Sequence, residues 1–224
     1  MPSGGVDQQE LERIIHFRIP RNLNLILPAF FTVSRDRAAF ILRLESEAGT
    51  NLLTCQRISS LGEELNRLSS KRSPLVITGN GRFFSAGADL AEVAALTAPA
   101  AYEFAKVGQT LMQSVEEFPA PVFAAVSGFC MGGGLDLALA CRYRIASPQA
   151  VFGHRGASLG LVTGWGGTQR LPRLIGKGRA LEMFVAAAAI SADEALRVGL
   201  VDALADDPVN EALRRCHDYS SPAW

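Results

Sequence analysis

Hydrophobic and polar positions alternate between two periods along the chain. Residues 39–44 (AFILRL) read as a strand, and residues 51–68 place Leu52, Ile58, Leu61, Leu65 and Leu68 at the spacing of one helix face. The apolar run at 74–78 (PLVIT) ends at Gly79-Asn80-Gly81, a turn signal. A loop through Gly87, a helix from about Asp89 and a longer helix over residues 99–118 follow, the last with proline near its first turn. Residues 122–126 (VFAAV) read as a second buried strand, which Ser127-Gly128 turns toward a helix from about Gly132 to Cys141. Short strands follow at 143–146 and 150–152, then a glycine-rich loop over 160–167. The remainder reads as helical, with Ser191-Ala192-Asp193-Glu194 as a capped helix start. Residues 1–38 have an irregular pattern. Strands alternating with helices predict an α/β domain with a largely parallel sheet. No internal sequence repeat or linker is visible.

Composition narrows the functional classes. At 224 residues, the chain is long enough to bury a substantial core without staples. Its 22 basic residues balance its 22 acidic ones, with no basic run, which argues against a nucleic-acid or anionic-membrane surface. Residues 121–141 approach the length of a membrane span, but they hold Asp136, Ser127 and four glycines. A carboxylate in lipid costs about 3 kcal/mol or more, so a buried strand-turn-helix is the better reading. Cys55, Cys130, Cys141 and Cys216 form no short-spaced pair, so no metal site is expected. The four are read as reduced thiols of a cytoplasmic protein, and residues 1–13 lack the order of a signal peptide.

Three glycine-rich segments carry the candidate chemistry: residues 82–90, 121–137 and 164–171. Gly132-Gly133-Gly134 opens a helix, leaving its first N–H groups unpaired and unobstructed by side chains. The positive end of the helix dipole reinforces them, which suits a developing oxyanion. Asp136 falls in the first turn, close to whatever those amides hold; its other reading is a helix-capping carboxylate.

FFSAGADL, PVFAAVSGFCMGGGLDLALAC and GGTQRLPRLIG, in that order, resemble the signature of the crotonase (enoyl-CoA hydratase/isomerase) family over about residues 39–204. The resemblance implies an α/β spiral of repeated ββα units. It divides the chain into an atypical N-terminal segment (1–38), a core with the acyl-CoA site (39–175) and a shortened C-terminal helical region (176–224). It implies an acyl-CoA thioester as substrate, no covalently bound cofactor, no metal, and a homotrimer or a hexamer built as a dimer of trimers. The thioester oxygen would accept from the backbone N–H groups of Ala88 and Gly133. Ala86, Asp89 and Leu90 would lie along the nucleotide and pantetheine.

The sequence departs from the family at its acids. Family hydratases use two glutamates, one holding water and the other moving its proton. Here the first position is Asp136 and the second is Gly156, while the positions of the isomerase acid read Thr163 and Gly164. A glycine at the second position occurs in family branches such as the ring-closing naphthoyl-CoA synthases, which keep the oxyanion hole and change the proton chemistry. Two expectations follow: Asp136 is the sole protein acid/base, or the substrate brings its own carboxylate. His154, Arg155 and Gly156 are then candidate substrate contacts, a cation beside the thioester being suited to such a group. Their other reading is a surface or interface pair.

Other classes remain. A family member could carry out isomerisation, decarboxylation or hydrolysis of an acyl-CoA with Asp136 as its only acid/base, and a crotonase-fold CoA-binding or assembly subunit without catalysis would share the missing acids. Gly156-Ala157-Ser158-Leu159-Gly160 matches the G-x-S-x-G elbow of serine hydrolases, with Asp202 and His217 downstream. A dinucleotide site is disfavoured, because glycines 128, 132, 133 and 134 do not match its spacing.

Overall fold

The computed structural model describes residues 30–36 and 39–220. Its framework is two sheets. The larger runs β1 (Phe31–Asp36), β2 (Ala39–Leu44), β3 (Leu75–Thr78), β5 (Val122–Val126), β7 (Tyr143–Ala146) and β10 (Ala203–Leu204); the smaller runs β4 (Phe83–Ser85), β6 (Phe129–Met131), β8 (Val151–Gly153) and β9 (Ala189–Ser191). All neighbours pair in parallel except β1 with β2 and β8 with β9.

Three successive units generate this arrangement. In each, the first strand joins the large sheet, the second joins the small sheet, and a helix returns the chain. The units are β3–β4 with α2 (Leu90–Ala94) and α3 (Ala98–Glu116), β5–β6 with α4 (Gly133–Ala140), and β7–β8 with α5 (Gly167–Ile175). This is the spiral of ββα units that the family resemblance implied. The remaining helices are α1 (Cys55–Ser69), α6 (Lys177–Val185), α7 (Ala192–Arg197) and α8 (Pro208–Ser220).

Strands β3 and β5 are buried at every residue, as expected of parallel strands covered on both faces. Helix α1 starts where the Thr54 side chain accepts from Arg57 N–H, and it buries Ile58, Leu61, Leu65 and Leu68. The main core lies between the sheets and α1, α3 and α4. A second cluster sits on the far face of the large sheet, where Ala212 and Cys216 of α8 cover Val76, Phe123 and Ile145. Residues 121–141 form strand, strand and helix within this core, and among the described residues no helix is long and apolar enough to cross a membrane.

Several elements differ from the sequence expectation. β4 lies in the stretch read as a loop, β6 in the turn before α4, and β9 and β10 in the part read as helical. Each has only two or three residues, too few for a period of two to register. β1 falls within the segment read as irregular; residues 1–29 and 37–38 of that segment lie outside the described residues.

Candidate functional site

A cavity of about 860 Å³ opens where the small sheet meets the starts of α2 and α4. Two glycine-rich segments are pressed together at its wall. Gly87 has φ of 96°, and a Cβ there would lie 2.7 Å from the Met131 carbonyl oxygen and 3.0 Å from the Gly133 nitrogen. Only glycine permits that approach. The segment is fixed from behind: buried Ser85 donates to the Asn51 carbonyl and accepts from Gly87 N–H, and Leu53 N–H donates to the Gly87 carbonyl at 2.8 Å.

Gly132, with φ of 51°, starts α4 without a side-chain cap, and its own N–H is held by the Gly153 carbonyl of β8. Helices α1, α3 and α7 instead carry Thr54, Thr97 and Ser191 as caps. The first amides of α4 are therefore left for something outside the helix. Among the described residues, the N–H groups of Ala88 and Gly133 have no acceptor. Ala88 and Gly133 both line the cavity, and Ala86, Asp89 and Leu90 line it beside them. The Asp89 carboxylate is committed locally, capping α2 through Ala91 N–H.

Asp136 lines the same cavity and is 1% exposed. It does not cap its own helix. Its Oδ2 accepts from the Thr163 hydroxyl, and its Oδ1 lies 3.4 Å from Nε2 of His154, itself 4% exposed. Burial pushes the Asp136 carboxyl up to about 7. The Thr163 hydroxyl, the charge of Arg170, and weaker contacts with the Gly167 and Trp165 amides act in the opposite sense. Gly167 is the first residue of α5, and a Cβ there would overlap Asp136 Oδ1. Asp136 thus sits between the first turns of two helices.

The pair His154 and Arg155 is split. His154 turns inward against Asp136 and the Phe184 ring, 5.2 Å away, and burial lowers it to about 4, so it is neutral near pH 7. Arg155 is exposed at the cavity wall and is the cation of the two. Gly156 also lines the cavity, but a Cβ there would lie 2.7 Å from the Leu161 carbonyl oxygen. The backbone at the second glutamate position therefore excludes any side chain without rearrangement.

Trp165 lies in the third glycine-rich segment (164–171), and its role emerges from packing. Its buried ring covers Gly133 and Gly108, where a Cβ would overlap it, and stacks at a tilt 5.2 Å from Phe104. The loop carrying Thr163 is thereby anchored over α4. The candidate hydrolase triad is not assembled: Ser158 sits in an exposed 3-10 turn, Asp202 binds Arg144, and His217 lines a separate cleft beside Asp36.

Comparison with known proteins extends this picture. A family model described as enoyl-CoA hydratase/isomerase matches residues 37–219. The crotonyl-CoA hydratase of Syntrophomonas wolfei is 49% identical over 129 residues, covering 57% of this chain and 50% of the relative. The short-chain-enoyl-CoA hydratase of Clostridium acetobutylicum is 43% identical over 129 residues, covering 57% and 49%. The chain spans about half the length of these curated relatives. Among solved structures, an enoyl-CoA hydratase from Bacillus anthracis superposes with a TM-score of 0.83 at 33% identity, covering 87% of this chain and 78% of that one. Pseudomonas aeruginosa DspI gives 0.83 at 32%, covering 87% and 81%. The chain belongs to the enoyl-CoA hydratase/isomerase family.

Proposed function

We propose that the chain binds an acyl-CoA thioester and polarises its carbonyl between the backbone N–H groups of Ala88 and Gly133, so that water adds to a conjugated enoyl group. One observation carries the reading: two amides without acceptors, from segments pressed together at Gly87, belong to residues lining the cavity that also holds Asp136. Donors fixed before the reaction stabilise charge that develops on the thioester oxygen and need no reorganisation. CoA runs past Ala86, Asp89 and Leu90, and the acyl group extends toward Asp136. Asp89 is spent on a cap, which leaves Asp136 as the carboxyl group available for proton transfer in this cavity. A carboxyl poised near neutral pH suits that role. The assembly is read as a homotrimer or a dimer of trimers, which light scattering would test.

The closed backbone at Gly156 favours a second reading, a CoA-binding or assembly subunit without turnover. Calorimetry with acetyl-CoA and crotonyl-CoA, beside loss of the conjugated enoyl absorbance, separates the two. Binding with hydration supports the enzyme. Binding without turnover supports the subunit, and no binding overturns both.

A further inference from the structure

We propose that Asp136 and His154 work as one acid–base pair, with His154 taking the place of the second carboxylate that Gly156 cannot supply. The inference rests on the acyl-CoA reading above and deepens it.

Geometry singles the two groups out. Asp136 Oδ1 and His154 Nε2 are 3.4 Å apart, both side chains are almost fully buried, and both line the cavity. Each of these two atoms lacks a hydrogen-bond partner, a rare state for a buried polar atom. Thr163 occupies Oδ2 and so leaves Oδ1 facing the imidazole. The spacing is held by the backbone, because Gly132 N–H, at the start of α4, donates to the carbonyl of Gly153, the residue before His154. Gly167 provides the room: a Cβ there would strike Asp136 Oδ1 and lie 3.0 Å from His154 Nε2. His154 lies two residues before Gly156 on the same segment, so the imidazole reaches the cavity where the closed turn at 156 cannot.

Burial favours a neutral pair, against the pull of the nearby Arg170 charge. From β6, Cys130 is a buried thiol held well above its ordinary range; from α5, Arg170 is the cation acting on Asp136; Arg155 faces out. Burial raises the carboxyl to about 7 and lowers the imidazole to about 4. Between those values the carboxyl keeps its proton and the imidazole can accept one. Two interacting groups titrate as a pair, so these values describe the couple.

The step balances. As water oxygen bonds to C3 of the enoyl group, one O–H bond breaks and its proton passes to His154 Nε2. The C2=C3 electron pair moves into the thioester, placing an oxyanion on the Ala88 and Gly133 amides. That enolate returns its pair to C2, which takes the proton from Asp136 Oδ1. A carboxylate and an imidazolium remain side by side, and transfer of the proton from Nε2 to Oδ1 restores the starting state.

Two experiments on the full chain test the pair. In hydration of crotonyl-CoA, His154→Gln should lower kcat about 100-fold or more with little change in KM, and the wild-type kcat/KM should fall as pH rises through about 7. A lone carboxylate base would give the opposite slope. Nitrogen-15 NMR of labelled histidine, with three histidines in the chain, should show the His154 signal stepping near pH 7, and Asp136→Asn should abolish that step. Unchanged kcat in a folded His154→Gln protein, or a His154 signal indifferent to Asp136→Asn, overturns the pair. The NMR result stands even where His154→Gln misfolds or no turnover is found. Absence of both CoA-thioester binding and turnover in the wild type would instead overturn the functional reading itself.

Discussion

Helices α4 and α5 begin in the same way and face different things. Both start after a glycine of positive φ, Gly132 at 51° and Gly166 at 101°, and neither has a side-chain cap. The first turn of α4 opens into the cavity beside Ala88, whereas the first turn of α5 is set against the Asp136 carboxyl. Unpaired helix amides attract negative charge in both places. At α5 the acid is resident, and the amides offset part of the rise that burial imposes on its carboxyl. At α4 the charge would be transient and supplied by the substrate. The comparison suggests that one structural device serves both the proton chemistry and the oxyanion.

Removing the resident acid should have the largest effect. Asp136→Asn is expected to lower kcat for crotonyl-CoA about 10²- to 10⁴-fold, measured by steady-state kinetics. The same variant should change how stability depends on pH. In the folded chain the carboxyl holds its proton up to about 7, against an ordinary value of 3.8. Between these values Asp136 binds more protons in the native than in the unfolded state, so its contribution to stability falls as pH rises and levels off above about 7. His154, lowered to about 4, works the other way below about 6.5, so denaturant titrations should show the Asp136 loss, up to about 4 kcal/mol, as the difference between wild type and Asp136→Asn. Equal pH slopes for the two proteins would contradict a buried, raised carboxyl.

Next in size is the transient side. Replacing the Gly133 peptide N–H by an ester oxygen removes one donor without adding bulk. It should reduce kcat about 10²- to 10³-fold while CoA affinity measured by calorimetry stays near wild type. An unaffected rate would remove Gly133 from the oxyanion site.

Gly156→Glu sharpens the comparison from outside the two helices. It restores the family's second acid in sequence, yet its Cβ meets the Leu161 carbonyl. We expect a loss of about 1 to 3 kcal/mol in chemical unfolding and no gain in hydration rate. A faster enzyme would show that the 156–161 turn yields readily. The smallest effect is expected from Thr163→Val, which removes the hydroxyl that lowers the carboxyl's pKa. The descending limb of the kcat/KM profile should move up by about one pH unit, and a downward shift would reverse the assigned sign.

The α4 side of this comparison was far more legible in the sequence than the α5 side. Gly87 and Gly132-Gly133-Gly134 announce backbone geometry directly, since a Cβ at 87, 133 or 134 would collide with neighbouring segments. Asp136 follows from its place in that helix. Thr163, Trp165 and Gly167 act only because a loop folds back over α4, and local periodicity carries no record of that return. In the sequence His154 and Arg155 read together, as substrate contacts or as a surface or interface pair; the strand-end position of His154 turns its ring inward and leaves Arg155 outside. The apolar runs of β3 and β5 marked buried strands of a largely parallel sheet, while β4, β6, β9 and β10 were too short to register.

The most direct measurement is a crystal structure with acetoacetyl-CoA bound. The thioester oxygen should lie about 3 Å from the backbone nitrogens of both Ala88 and Gly133, with the acyl carbons facing Asp136. A thioester bound elsewhere, or an oxygen that reaches neither amide, would contradict the two-amide site.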